Sequence, residues 1–159
     1  MKKVIDFVLI FILGFFSCAF ILSLVFFHGS EVPFGNGNMD LEESPSDWIL
    51  EEDIILLDNK IIINVDNAKL SSYKPTGSMK PVLDKGANGI RVVPGIPEEI
   101  DVGDIISFNK NGLLIVHRIV EKGIDSKGVY FITKGDNNNF SDGKIRFENI
   151  EYVTIGILY

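Results

Sequence analysis

Residues 113–120 have the sequence Leu-Leu-Ile-Val-His-Arg-Ile-Val, an apolar run rich in β-branched side chains. A short run of this kind without helical periodicity predicts a β-strand. Its first four residues are apolar at both alternating positions, so the strand needs cover on both faces. An isolated hairpin cannot supply that cover, whereas a compact β-barrel or sandwich of about 110 residues can.

Six further runs of the same kind follow Trp48, separated by turn-forming residues. Asp58-Asn59-Lys60 predicts a hairpin with a three-residue loop, and Asn109-Lys110-Asn111-Gly112 predicts a second tight hairpin connection. We therefore expect a mostly β domain of about seven strands over residues 48–159. The further predicted strands are Ile54–Leu57, Ile61–Val65, Gly89–Val93, Asp104–Phe108, Val129–Thr133 and Tyr152–Leu158.

Residues 7–27 are apolar or small and carry no charge. As a helix this segment would be about 32 Å long, which matches a bilayer hydrocarbon core of about 30 Å. The alternative is a cleavable signal peptide, whose apolar core is shorter and for which Ser17-x-Ala19 is the best cleavage site. A Lys-Lys pair precedes the segment, so the positive-inside bias predicts a cytoplasmic N-terminus. We expect residues 1–27 to anchor a single-pass membrane protein whose remaining chain lies on the outer face.

Residues 28–47 are rich in Gly, Pro, Ser, Asn and acidic residues and show no periodicity, which predicts a linker. Between Glu31 and Asp66 there are 10 acidic residues and one basic residue, whereas residues 67–159 contain 12 basic and 11 acidic residues. The acidity therefore belongs to the linker and the first strands. We interpret the linker as a solvated spacer that keeps the outer domain near the membrane surface.

Composition excludes several classes of function. The formal net charge is -7, from 15 Lys and Arg against 22 Asp and Glu, without a basic cluster of the kind that neutralises phosphates. No nucleic-acid partner is therefore expected. The single cysteine, Cys18, excludes an intramolecular disulfide, a zinc site built from thiolates and a Cys-x-x-Cys redox pair.

Two residues are candidates for nucleophilic chemistry. His117 lies within an apolar strand, where a histidine is either a hydrogen-bonded core residue or a proton acceptor. Ser78 lies just before Pro81, whose ring fixes φ. A serine at the head of a rigid segment can present its hydroxyl as a nucleophile, although the residues Pro75-Thr76-Gly77 before it also suit an ordinary turn.

A third segment supplies carboxylates. Residues 133–143 follow a predicted strand and contain Asp136 and Asp142 among several Asn and Gly residues, which predicts a loop. In such a loop Asn and Asp usually cap backbone amides, and this interpretation suits Asn137 and Asn138 best. Spacing alone does not choose between the two carboxylates.

Together these segments resemble the type I signal peptidases, specifically the archaeal and endoplasmic-reticulum branch that uses Ser, His and Asp. In the bacterial branch a lysine occupies the position of His117, so the histidine assigns the branch. The resemblance implies a signal-peptidase-like β-domain behind a single N-terminal transmembrane helix. It is carried by four motifs in order behind the apolar segment, which are Gly77-Ser78-Met79-Lys80-Pro81, Val102-Gly103-Asp104-Ile105-Ile106, His117-Arg118-Ile119, and Lys134-Gly135-Asp136-Asn137-Asn138 with Asp142.

The resemblance implies a role for each matching residue. Ser78 would be the nucleophile and His117 the general base, because a serine hydroxyl becomes nucleophilic when a base within hydrogen-bond reach takes its proton. Asp142 would orient the imidazole, with Asp136 as the alternative. The backbone amide of Ser78 and the hydroxyl of Thr76 would stabilise the oxyanion. No metal or organic cofactor is implied.

The resemblance also implies that substrates bind by strand addition beside the active site. We expect an extended preprotein segment to contact Ser72 and Tyr73 on one side and Phe131 and Thr133 on the other. The implied partners are signal-peptide-bearing preproteins, the lipid bilayer and, as a candidate, the protein-translocation machinery.

Two alternatives remain open at this point. The same residues would suit a peptidase that processes another membrane-tethered substrate. A non-catalytic membrane-anchored β-domain, acting as a binding or assembly module, would keep the fold without needing the serine, the histidine and the aspartate together. The 50 residues between Phe27 and Ser78, which include an extra hairpin, exceed the short spacer expected from the resemblance.

Overall fold

The computed structural model describes residues 11–20 and 43–159. Residues 11–20 are helical, and they belong to a compact unit separate from the one that contains residues 43–159. Within the described ranges, no helix is both long enough and apolar enough to cross a bilayer. The rest of the predicted membrane segment and most of the predicted linker lie outside the described residues.

The described part of the second unit is mostly β-structure, as predicted, and its strands pair antiparallel. Strands β1 and β2 pair only with each other, and the other seven strands form one sheet in the order β3-β4-β9-β5-β6-β7-β8. Three one-turn 3₁₀ helices span Glu51–Asp53, Pro97–Glu99 and Phe147–Asn149. The strands are β1 Ile54–Leu57, β2 Lys60–Ile63, β3 Lys69–Ser72, β4 Asn88–Val92, β5 Ile105–Lys110, β6 Leu113–Asp125, β7 Gly128–Lys134, β8 Ser141–Ile145 and β9 Ile150–Leu158.

Each of the seven predicted strands corresponds to an observed strand, and two observed strands were not predicted. Strand β3 carries a single apolar residue, and β8 has the sequence Ser-Asp-Gly-Lys-Ile, so neither shows an alternating apolar pattern. Asp142 therefore lies on a strand, and the predicted loop at this position is wrong. Among the described strands β3 and β8 each have one neighbour, so the sheet is open, and of the predicted barrel or sandwich a closed barrel is not observed.

Strand β5 is covered on both faces. Ile106 enters one apolar cluster, with Phe108 and Val153, while its neighbour Ile105 enters a second cluster that contains Met79. Consecutive residues of a strand point to opposite faces, so each face of β5 packs on its own group of side chains. The core of the domain lies around this strand.

The first half of β6 does not follow the prediction of cover on both faces. Leu113 and Leu114 are 68% and 47% exposed. In the described strands this half of β6 pairs with β5 alone, because pairing with β7 begins at Arg118. Residues Leu113–Val116 thus present a free strand edge.

The two predicted hairpins are both present, with shorter turns than expected. Leu57 pairs with Lys60, so two residues form the first turn instead of three. In the second hairpin Asn111 and Gly112 have φ of 54° and 79°. Positive φ at both central residues is the geometry that two-residue hairpins favour, and Asn-Gly adopts it most readily.

The segment just before Trp48 packs against the β-domain, because Asp104 binds Ser46. This carboxylate is fully buried and accepts hydrogen bonds from the Ser46 amide at 2.7 Å and the Ser46 hydroxyl at 3.0 Å. The Trp48 indole and the Asp101 amide also donate to it, at 3.3 and 2.9 Å. A buried carboxylate is costly unless it is hydrogen-bonded, and these four donors satisfy Asp104.

Asp125 provides a test of the packing between β6 and β8. Two nitrogen–oxygen contacts of 2.9 and 2.8 Å join it to Arg146, and Lys144 lies 2.8 Å away. The hydrogen bonds from Arg146 and Lys144 hold the pKa of Asp125 well below its usual range. A depressed pKa stabilises the folded state above the unfolded-state pKa of about 3.9, and this stabilisation is lost as the pH falls further.

We therefore expect Asp125→Asn to lower the melting temperature at pH 7, and the gap from the wild type to narrow steadily below about pH 4. Thermal unfolding followed by circular dichroism at pH 7, 4 and 3 measures this. Asp58→Asn, at the tip of the β1–β2 turn, is the matched control. A gap that stays constant across this pH range would contradict the ion-pair explanation.

Candidate active site

A cavity of about 430 Å³ contains several of the predicted site residues in its wall. It lies where β3, the segment after β3 and the first half of β6 meet. The predicted site residues that line it are Ser72, Tyr73, Thr76, Ser78 and His117.

Ser78 is presented by a turn that the neighbouring loop holds in place. Gly77 has a φ of 75°, a conformation that other residues rarely adopt, and Met79 is buried in the core. The amide of Asn137 donates to the carbonyl of Ser78 at 2.9 Å, and its side chain donates to the carbonyl of Gly77 at 3.1 Å. The loop approaches so closely that a Cβ at Gly135 would lie 2.6 Å from the Ser78 carbonyl oxygen.

His117 is paired with a carboxylate. Its Nδ1 lies 2.6 Å from Oδ2 of Asp142, and its side chain is 8% exposed. The same carboxylate oxygen accepts a hydrogen bond from the Thr133 hydroxyl at 2.8 Å, and Lys110 donates to the Asp142 carbonyl at 2.6 Å. Because an ionised carboxylate only accepts, the proton of a neutral imidazole lies on Nδ1. Nε2 is then left with a lone pair that can accept a proton.

The serine hydroxyl has a hydroxyl neighbour. Oγ of Ser78 lies 3.2 Å from Oγ1 of Thr76, and both residues share the cavity wall with His117. Among the contacts of the described residues there is no direct hydrogen bond between Ser78 and His117. Hydrogen bonds of this type commonly tighten only in the substrate complex.

Asp136 has a different partner from Asp142. Its two oxygens accept hydrogen bonds of 2.9 Å from Nε and Nη2 of Arg118, and the same guanidinium donates to the Gly103 carbonyl at 2.8 Å. Both side chains of this ion pair are less than a tenth exposed. The structure therefore brings Asp142, and not Asp136, to the imidazole of His117.

The two strands predicted to contact substrate differ in their exposure. Ser72 and Tyr73 line the cavity, and the Tyr73 hydroxyl lies 3.0 Å from Oγ1 of Thr154. Burial raises the pKa of the Tyr73 phenol, so it is neutral at physiological pH. Phe131 and Thr133, in contrast, are fully buried, and β7 is paired on both sides.

The predicted substrate contacts at Phe131 and Thr133 are therefore wrong. Phe131 belongs to the core, because its strand lies between β6 and β8 and offers no free edge. Thr133 instead binds Asp142, a role that the sequence did not indicate. Lys110 and Asn137 are two further contributors that sequence reasoning did not identify, and only Asn137 lies within a motif of the resemblance.

The cavity wall contains a serine hydroxyl and a histidine, and a carboxylate holds the imidazole of that histidine. Serine hydrolases have this arrangement. The chain is similar to curated proteins named signal peptidase complex catalytic subunit SEC11. This similarity confirms the resemblance to the archaeal and endoplasmic-reticulum branch of the type I signal peptidases. The SEC11 of Pyricularia oryzae is 35% identical over 80 residues, which cover 49% of this chain and 46% of that protein. The SEC11 of Yarrowia lipolytica is 27% identical over 90 residues, which cover 52% and 51%.

The matched region thus spans about half the length of the curated relatives. No protein-family model matches the chain, and no solved structure matches it.

The ion pair between Arg118 and Asp136 gives a prediction for stability. Removing one partner of a buried pair leaves an uncompensated charge, which costs about 3–5 kcal/mol. We expect Arg118→Met to lower the free energy of unfolding by about 3 kcal/mol. The double variant Arg118→Met/Asp136→Leu should recover much of this loss, because no charge is then left unpaired. Denaturant unfolding measures both, and a double variant less stable than Arg118→Met would contradict this explanation.

Proposed function

We propose that this chain is a membrane-anchored serine endopeptidase that removes signal peptides from secreted preproteins. The observation that carries the proposal is the 2.6 Å contact of Asp142 with His117, which lines the same cavity as Ser78. The names of the SEC11 relatives, catalytic subunits of the signal peptidase complex, support the same activity. A domain that only binds would have no need for a serine and a carboxylate-held imidazole in one cavity wall.

In the proposed mechanism Ser78 attacks the scissile carbonyl while Nε2 of His117 takes the hydroxyl proton. Asp142 stabilises the imidazolium and keeps its orientation, without accepting the proton itself. His117 then gives the proton to the leaving amine, and a water molecule repeats the sequence to hydrolyse the acyl-enzyme. The backbone amide of Ser78 and the hydroxyl of Thr76 donate to the oxyanion.

The free strand edges indicate how a substrate would bind. In the described strands β3 pairs only with β4, and Leu113–Val116 pair only with β5. Residues of both segments line the cavity. An extended peptide can add to such an edge through main-chain hydrogen bonds, with pockets for alternate side chains. This position replaces the one predicted at Phe131–Thr133.

Position at the membrane completes the proposal. The apolar segment over residues 7–27 would anchor the chain with its N-terminus in the cytoplasm, and the signal-peptidase-like β-domain would lie on the outer face. Tethering raises the effective concentration of preproteins at the site. The proposed partners are preproteins, the bilayer and the translocation machinery.

The test is cleavage of a model preprotein by the full chain in detergent. We expect Ser78→Ala and His117→Ala to lose several orders of magnitude in kcat, because loss of either member of the Ser-His unit leaves only residual catalysis of about 10³–10⁴ over water. Asp142→Asn should lose about 10⁴-fold, since an amide stabilises the wrong imidazole tautomer. Ser141→Ala and Asp101→Asn are matched controls at exposed positions and should cleave like the wild type.

Full activity of His117→Ala would refute the proposed mechanism. A wild-type protein that binds preproteins but cleaves none, in detergent and in vesicles, would instead indicate a binding or assembly module.

A further inference from the structure

The wall of the active-site cavity is basic. Lys74 and Arg91 line it together with His117, and none of its described lining residues is Asp or Glu. The whole chain, in contrast, has a formal net charge of -7. The cavity is therefore a local positive region on an acidic protein, and such a region attracts anionic groups.

Arg91 differs from the other two arginines in its partners. Arg118 and Arg146 each bind both oxygens of an aspartate, whereas Arg91 forms no hydrogen bond or ion pair with any described residue. Its guanidinium carbon lies 4.0 Å from the centre of the Tyr152 ring. Stacking of this kind occupies the face of the guanidinium and leaves its in-plane N–H groups available. Nε of Arg91 is buried without a partner.

A second positive charge lies beside Arg91. Lys69 on β3 is its register partner across the sheet, and Nζ of Lys69 lies 5.0 Å from the centre of the same Tyr152 ring. Like charges directly opposite each other on neighbouring strands repel. A carboxylate bound by Arg91 would offset this repulsion.

From these observations we infer that Arg91 determines specificity by binding the carboxylate of an acidic side chain in the substrate. The inference rests on the proposed peptidase function for the identity of the ligand as a peptide. The arginine fork matches a carboxylate with two parallel hydrogen bonds, which a neutral amide side chain cannot reproduce at full strength.

The acidic residue lies close to the bond that is cut. Arg91 and Ser78 line the same cavity of about 430 Å³. An extended peptide advances about 3.3 Å per residue, so a few residues span a cavity of this size. The preferred acidic residue is therefore within a few positions of the scissile bond.

The experiment compares pairs of peptide substrates that carry Glu or Gln at one position at a time around the cleavage site. With the wild-type full chain we expect about a tenfold higher kcat/KM for Glu over Gln at one position, because a hydrogen bond to a charged group contributes about that much. High salt should reduce this preference, since the arginine is partly exposed. Arg91→Gln should abolish the preference, so that the Glu and Gln peptides are cleaved with equal kcat/KM.

Two further variants separate the effect of the bidentate geometry of Arg91 from the effect of its positive charge. Arg91→Lys keeps the charge and should retain only part of the preference, because the bidentate geometry is lost. Lys85→Gln, an exposed change of the same charge outside the cavity, should retain all of it. A Glu preference that survives in Arg91→Gln, or its absence at every position in the wild type, would overturn the inference.

Binding distinguishes failure of this inference from failure of the proposed function. Fluorescence anisotropy with the Ser78→Ala chain measures affinity for the labelled Glu and Gln peptides without cleavage. If no peptide is cleaved but the Glu peptide binds about tenfold more tightly through Arg91, the carboxylate site stands and the peptidase proposal fails. Equal affinities for the two peptides would refute the carboxylate site, whether or not the wild-type chain cleaves peptides.

Discussion

The contact between His117 and Asp142 depends on three adjacent strands. His117 lies on β6, Thr133 on β7 and Asp142 on β8, and the carboxylate oxygen that faces the imidazole also accepts from Thr133 at 2.8 Å. Ile119, two residues from His117 and on the same face of its strand, is the register partner of Thr133. The sheet thus converts a separation of 25 residues along the chain into a direct hydrogen bond.

The alternation of β6 separates the two carboxylates. His117 and Arg118 are consecutive, so their side chains leave opposite faces of the strand. The imidazole meets Asp142, while the guanidinium meets Asp136 and the Gly103 carbonyl. The loop that carries Asp136 continues to Asn137, which bonds the main chain of Gly77 and Ser78. One ion pair on the far face therefore supports the loop that holds the serine turn.

Local sequence signals explain what could be predicted. The seven predicted strands have β-branched or alternating apolar residues, and Asn111-Gly112 has the chemistry that its turn requires. Strands β3 and β8 are held by main-chain pairing with their neighbours. This pairing does not require an alternating apolar pattern, and their sequences show none. The motif resemblance indicated Ser78, His117 and two possible aspartates, whereas the choice between the aspartates depends on which face of β6 each one meets.

Strand pairing between residues far apart in the sequence explains what could not be predicted. The resemblance implied substrate contact at Phe131 and Thr133. Local sequence could not correct this expectation, because it does not reveal the order of the strands in the sheet. Once β8 pairs with β7, that edge is closed. Leu113 and Leu114 looked buried because their run is apolar, yet the sheet leaves them at an open edge beside the cavity. In both cases the order of the strands in the sheet, and not the hydrophobicity of the residues, determines their exposure.

Nuclear magnetic resonance of the imidazole examines the contact between His117 and Asp142 directly. The chain has two histidines, so His28→Gln leaves His117 as the single imidazole signal. For the neutral imidazole the ¹⁵N spectrum should show a protonated Nδ1 and an unprotonated Nε2, with a strongly downfield Nδ1 proton that disappears in Asp142→Asn and persists in Asp136→Asn. A neutral imidazole protonated on Nε2, or a spectrum that Asp142→Asn leaves unchanged, would contradict the proposed active site.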